Sequence, residues 1–164
     1  ADEGAGSSRR AQRGRRMNES CEIVVADAPF TVRRRVRWSD CDPAGVAFTG
    51  RFTDYLLGAV DHFIRHILHE PRAAFMARLG IETPCKGMSL NFHLALPPEA
   101  EVDIVLWVAR IGTHSFDLDA TARLPDGRIA FEGRFSPICI QTQPRHKVPI
   151  PPALRERLAL HTSR

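Results

Sequence analysis

The sequence predicts an α+β domain in which a curved antiparallel β-sheet wraps around one long central α-helix. Two observations carry this expectation. Over residues 50–69 apolar side chains recur at Phe52, Leu56, Ala59, Val60, Phe63, Ile64 and Ile67, the spacing of a 3.6-residue helix. Tyr55, Leu57 and Leu68 widen the stripe until only Asp54, Asp61 and Arg65 mark a polar strip, so the helix needs a partner that covers most of its circumference. Downstream, four runs of strand character (residues 88–96, 102–111, 115–124 and 128–142) are separated by PPEAE, GTH and PDG. Connections of that length make antiparallel neighbours.

The elements follow in order. Residues 1–22 are rich in Gly, Ser and Arg with little to bury, the composition of a disordered tail, and a single domain is expected over residues 23–164. FTVRRRVRW (30–38) alternates with period two. Val32, Val36 and Trp38 fall on one face and Arg33, Arg35 and Arg37 on the other, which reads as a strand with one wet face. After the long helix, PRAAFMARLG carries Pro71 at its start and Gly80 at its end, the punctuation of a short helix. Pro137 removes a ladder donor from the last strand, so a bulge or an edge is expected there. PPALRERLALH can form a short amphipathic helix over a sheet margin.

Composition narrows the function classes. A chain of 164 residues with 43% hydrophobic content fits one domain with one core. No window reaches the ~20 apolar residues of a membrane helix, and the Arg-rich start lacks the apolar block of a secretory signal. A cytoplasmic protein without a membrane partner is expected. Cys21, Cys41, Cys85 and Cys139 form no C-x-x-C pair, which suggests free thiols rather than a zinc knuckle or a disulfide framework. Of the net charge of +4, half sits in the first twenty residues, too weak a field for a nucleic-acid partner.

Dinucleotide, P-loop, serine-hydrolase and zincin motifs are absent. The stretch WSDCDPAGVAFTGRF (38–52) carries the chemistry instead. Asp40 and Asp42 precede Pro43 and Gly45, and the helix begins near Thr49, so the acids lie in a loop aimed at unpaired helix N–H groups. An aspartate there commonly caps the helix or orders an Asx turn. Asp42, however, is too far from Thr49 for simple capping. A carboxylate beside free amides also suits thioester hydrolysis, in which the amides hold an oxyanion and the anion attacks the carbonyl or activates water. Carboxylates of ordinary pKa, ~4, are ionised at neutral pH without a partner base.

Other reactive side chains are weaker candidates. Cys41 stands between two carboxylates that disfavour its thiolate, so it reads as a packed thiol. His62, His66 and His69 share a helix flank with no carboxylate among them, and no metal site is expected. His93, alone on a strand, is a possible pocket residue. Arg110 and His114 flank the GTH turn, and Arg145, His146 and Lys147 follow the last strand. These basic groups are either solvated turns or a clamp for a phosphorylated carrier such as coenzyme A.

The stretch VRWSDCDPAGVAFTGRF, followed by a long apolar helix and four strands, resembles the hotdog-fold acyl-CoA thioesterases of the 4-hydroxybenzoyl-CoA thioesterase type, with their D-x-D-x-x-G signature. The resemblance covers residues 30–142. It implies a homodimer or homotetramer with active sites at the dimer interface, Asp42 as the catalytic carboxylate, and the backbone N–H at Thr49 as the oxyanion donor. Asp40, Gly45, Phe48 and His93 would form the substrate-binding set, Asp40 by shaping the loop. Arg110, His114, Arg145 and Lys147 would contact coenzyme A, which is part of the substrate, and no cofactor is implied. The rival readings are a hotdog hydratase or dehydratase and a non-catalytic acyl-carrier-binding protein. The first would carry a His shortly after the acid, and none occurs between Asp42 and Phe52.

Overall fold

The computed structural model describes residues 21–162. Most of the expected N-terminal tail lies outside the described residues, and the fold begins at its last positions. Strands β1 (Glu22–Asp27) and β2 (Phe30–Arg35) form a hairpin, followed by a 3₁₀ turn at Trp38–Asp40. Helices α1 (Arg51–Leu68) and α2 (Arg72–Leu79) come next, then β3 (Cys85–Phe92), β4 (Glu101–Ile111), β5 (Phe116–Arg123) and β6 (Ile129–Pro137). A small ribbon of β7 (Ile140–Thr142) and β8 (Arg145–Lys147) precedes α3 (Pro152–Ala159). The large sheet has the order β1-β2-β4-β5-β6-β3, antiparallel throughout.

Helix α1 supplies the centre of the core. Phe52, Tyr55, Leu56, Ala59, Val60, Phe63, Ile64, Ile67 and Leu68 are buried, while Asp54, Asp61 and Arg65 are exposed as the pattern requires. Leu57 departs from it and is half-exposed. The facing strands contribute Ile104, Leu106, Leu118, Ala120 and Phe131, and Phe131 meets Phe52 edge-on at 5.4 Å. Burial of nine such residues, at roughly 1.5–3 kcal/mol for each large side chain, outweighs intrinsic helix propensity, so packing defines this helix. Its C-terminus stops at His69, in the left-handed region, and α2 stops likewise at Gly80. Helix α3 buries Leu154 and Leu158, and the carbonyl of His161 just beyond it accepts the Val108 N–H at 2.8 Å.

Several expectations are corrected. Strand β1 was not anticipated, and its first residue, Glu22, falls in the expected tail; EIVVAD has no alternation, and its pairing with β2 makes it a strand, with a bulge between Val24 and Ala26. Trp38 does not continue β2 but sits on the 3₁₀ turn, 82% exposed. Arg34, in phase with buried Val32 and Val36, is itself buried. Strand β3 begins three residues earlier than its apolar run and ends at Phe92. The run over 128–142 is two strands, because β6 ends at Pro137, and the register of β3 shifts between Cys85 and Gly87 opposite it.

The hydrogen bonds define two ends of the sheet. At one end Val36 bonds Ala100, Ala47 bonds Leu96, and His93 and Leu94 bond Ala130. At the other, Cys139 bonds His114, Ile150 bonds Thr113, and Glu82 bonds Ile140. Helix α1 begins at the first end.

Candidate active site

The loop between the 3₁₀ turn and α1 closes on itself. Gly45 donates its N–H to the Asp42 carbonyl at 2.9 Å, Asp42 donates to Val46 at 3.0 Å, and Cys41 and Ala47 form a β-bridge. Residues 42–45 are thus a β-turn, with Asp, Pro and Gly at the positions each favours. Gly45 has φ +78, a conformation that side-chain-bearing residues rarely adopt. Asp42 Oδ1 accepts the Ala44 N–H at 2.8 Å, so this residue does order an Asx turn. Among the described residues its Oδ2 has no partner.

The start of α1 is uncapped. Gly50 has helical angles and supplies no side chain, and the first turn is tightened by bonds from Arg51 to Phe48 (2.8 Å), Phe52 to Thr49 (3.2 Å) and Thr53 to Gly50 (3.3 Å). The N–H groups of Thr49 and Gly50 find no acceptor among the described residues. The helix itself begins at Arg51, two residues beyond the expected Thr49, and this leaves Thr49 as exposed backbone between loop and helix. The ring of Phe48, 55% exposed, lies so close to Gly50 that a Cβ there would stand 2.7 Å from it.

Asp40 anchors the loop from inside. Its carboxylate is 1% exposed and accepts the Arg37 N–H (3.1 Å), the Tyr55 hydroxyl (3.0 Å), Arg34 Nη2 (3.3 Å) and Arg37 Nη2 (3.3 Å). Burial pushes its pKa up, but the Arg37 amide, the Tyr55 hydroxyl and the two guanidiniums outweigh it and hold the carboxyl below its ordinary range. Burial and the adjacent Asp40 push the Tyr55 hydroxyl well up, so it remains a donor. With its oxygens occupied, Asp40 shapes the loop rather than touching substrate, which corrects its assignment as a substrate-binding residue. The Cys41 thiol is pushed up by burial and by Asp40 and Asp42, the direction expected of a thiol between two acids.

The remaining candidates are scattered. Phe52 is buried in the core, 5.0 Å from the half-exposed ring of Phe92. His93 Nε2 pairs with Glu132 at 3.0 Å, and Glu132, adjacent to inward-facing Phe131, points to the sheet face away from α1. His93 therefore does not join Asp42. Arg110 is paired with buried Asp117 at 2.8 Å; burial pushes the Asp117 carboxyl up, but Arg110 and the Ser136 hydroxyl bring it below its usual range. Arg110 and His114 belong to the far end of β4, with exposed Arg145 and Lys147 on the neighbouring ribbon. At ~3.3 Å per residue, Arg110 is about 30 Å from Glu101 at the loop's end of β4, so one protomer does not unite these cations with Asp42.

Sequence reasoning missed Arg34 and Tyr55, which hold Asp40, and Glu22, which pairs with Arg34. The signal was present in the period-two phase of Arg34 with Val32 and Val36. Among the described residues no group of three His, Cys, Asp or Glu side chains is arranged to hold a metal ion. No helix there is long and apolar enough to cross a membrane.

Known proteins share this fold. No curated protein matches the chain in sequence. Among solved structures, a thioesterase superfamily protein from Jannaschia sp. CCS1 superposes with a TM-score of 0.74 at 26% identity, covering 85% of this chain and 96% of that one. A 1,4-dihydroxy-2-naphthoyl-CoA thioesterase from Synechocystis gives 0.70 at 19% identity, covering 79% and 95%. A gentisyl-coenzyme A thioesterase gives 0.65 at 22% identity, covering 76% and 98%. The family model for the thioesterase-like superfamily matches residues 36–158, from the end of β2 through α3. With its six-stranded antiparallel sheet around α1, the chain belongs to the thioesterase-like superfamily, as a thioester hydrolase of the hotdog fold.

Proposed function

We propose that this chain hydrolyses acyl-CoA thioesters, aryl or short-chain, to the free acid and coenzyme A, with Asp42 as nucleophile or general base and the Thr49 N–H as oxyanion donor. The observation that carries the proposal is the uncapped start of α1, with two free N–H groups, next to a loop that leaves one oxygen of Asp42 without a partner. An anion developing at the thioester carbonyl would meet donors that need no reorganisation. As nucleophile, Asp42 forms a mixed anhydride while the C–S bond breaks and coenzyme A leaves as thiolate, which takes a proton from solvent; water then cleaves the anhydride to the acid and restores the Asp42 carboxylate. As general base, Asp42 takes the proton of the attacking water. The aryl preference is supported by the relatives above and by the exposed rings of Phe48 and Phe92 beside the helix start.

The same reading includes a homodimer, which can pair again to a homotetramer. Strand β3 has a free edge and presents half-exposed Met88 and Phe92, an arrangement that invites pairing with a second copy. A two-fold axis across β3 would set the Arg110, His114, Arg145 and Lys147 end of one protomer alongside the Asp42 end of its partner. That offsets the 30 Å separation within one chain and supplies cations for coenzyme A.

The test is thiol release from a panel of aryl- and alkyl-CoA esters by wild type and Asp42→Asn. Wild type should prefer aryl esters, and Asp42→Asn should lose at least ~10²-fold in kcat. Equal turnover by the two would sink the assignment of Asp42.

A further inference from the structure

We propose that Arg34 is a positioning residue for this site: a cation held inside the fold between Glu22 and Asp40 that, through the main chain of Asp40, keeps the Asp42 loop closed against the start of α1. The inference rests on the reading of Asp42 and Thr49 given above.

A core arginine is costly unless it is paired, and this one is paired on three sides. Nη1 meets Glu22 Oε1 at 2.5 Å, Nη2 meets Asp40 Oδ2 at 3.3 Å, and the guanidinium lies 4.4 Å from the centre of the Tyr55 ring. Its Nε is buried without a partner, a cost retained in spite of these contacts. Glu22 can lie across α1 only because residue 58 is glycine; a Cβ there would stand 2.5 and 2.6 Å from the two carboxylate oxygens. One guanidinium therefore ties together β1, β2, the 3₁₀ turn and α1.

Asp40 transmits this to the site. Its side chain is held by Arg34, and its carbonyl accepts the Phe48 N–H at 2.9 Å, immediately before Thr49. Other charged or titratable groups surround the cluster: Cys21 beside Arg34, Arg37 and Cys41 beside Asp40, Arg51 Nε at 3.9 Å from Asp40 Oδ1, and His62 Nε2 at 3.8 Å from Glu22. Arg34 joins the two carboxylates. When Asp40 is protonated, it holds the donors around it less tightly, and the loop it carries loosens.

The test compares wild type, Arg34→Gln, Arg34→Lys, Tyr55→Phe and Asp42→Asn in thiol release across pH, with amide exchange at Phe48 as a readout independent of activity. Arg34→Gln should lower kcat by about tenfold to a hundredfold with little change in KM. It should move the acid limb of kcat upward by about one pH unit and speed exchange at Phe48. Arg34→Lys, which keeps the charge, should restore the limb and part of kcat. Tyr55→Phe, which removes one donor to Asp40, should shift the limb in the same direction and stands in for Arg34→Gln should that variant not fold. A merely structural role would scale kcat at every pH without moving the limb. An unmoved limb with unchanged Phe48 protection in both Arg34→Gln and Tyr55→Phe overturns the proposal. Wild-type turnover by Asp42→Asn overturns instead the reading of the site, and Phe48 exchange still decides the role of Arg34.

Discussion

Gly58→Ala sets two effects against each other at one position of α1. Alanine in a helix interior is favoured over glycine by about 1 kcal/mol. Here the added methyl would stand 2.5 Å from Glu22 Oε1, so the carboxylate must shift, and the expected outcome is loss of its ion pair with Arg34. Removing one partner of a buried pair costs about 3–5 kcal/mol. Arg34 retains Asp40 and the face of Tyr55, and the Glu22 side chain is 16% exposed, which brings the loss to about 2–3 kcal/mol. The net effect is a destabilisation of about 1–2 kcal/mol, or a fall in Tm of about 3–8 °C for a domain of this size. Thermal and urea melts followed by circular dichroism read it directly. In a Glu22→Ala background the clash is gone and the sign should reverse, since only the helix preference remains. A rise in Tm for Gly58→Ala alone would refute the reasoning and mean that Glu22 leaves Arg34 without penalty.

Two further outcomes follow from the same fold. If the proposed dimer pairs through β3, Met88→Asp, which introduces charge on that edge, should shift the protein from dimer to monomer in sedimentation velocity, with thiol release falling in parallel; a dimer unchanged by the substitution would place the interface elsewhere. Asp40 and Asp117 are both held below the ordinary carboxylate range in the fold. Their contribution is therefore complete above the unfolded value of about 3.9 and is lost as pH falls through their lower folded values. Stability should drop steeply on acidification below about pH 4, and Asp117→Asn should flatten that limb in urea melts at stepped pH.

The long helix was legible because its stripe is set by burial alone, and Asp54, Asp61 and Arg65 fall where solvent is. The meander β4–β5–β6 was legible because hairpin-length turns separate its strands. What escaped depends on distant partners. Strand β1 carries an apolar run without alternation beside a tail-like segment, and its identity comes from β2. Strand β3 reads poorly because an edge strand with polar residues on its outer face has few apolar positions, so the apolar residues following it drew the boundary too late. In the site, the acid spacing and Gly45 mark the loop, and the uncapped helix start follows from the lack of a capping side chain at Gly50. The inward phase of Arg34 was hidden by the arginines on either side of it. The distance between Asp42 and the basic end was also invisible, because proximity in a sheet depends on strand direction.

The strand order has a consequence for how the chain is made. During synthesis β1, β2, α1 and β3 all emerge before β4, yet β2 pairs with β4 and β3 pairs with β6, the last strand of the large sheet. The β4–β5–β6 meander forms from local contacts, whereas the pairings that enclose α1 join residues far apart in sequence and are slow for that reason. Until Pro137 has left the ribosome, the sheet that α1 packs on lacks β6 and, with it, the β3 edge that β6 carries. Nascent chains of this protein thus pass through an interval in which part of the apolar face of α1 is uncovered and open to association.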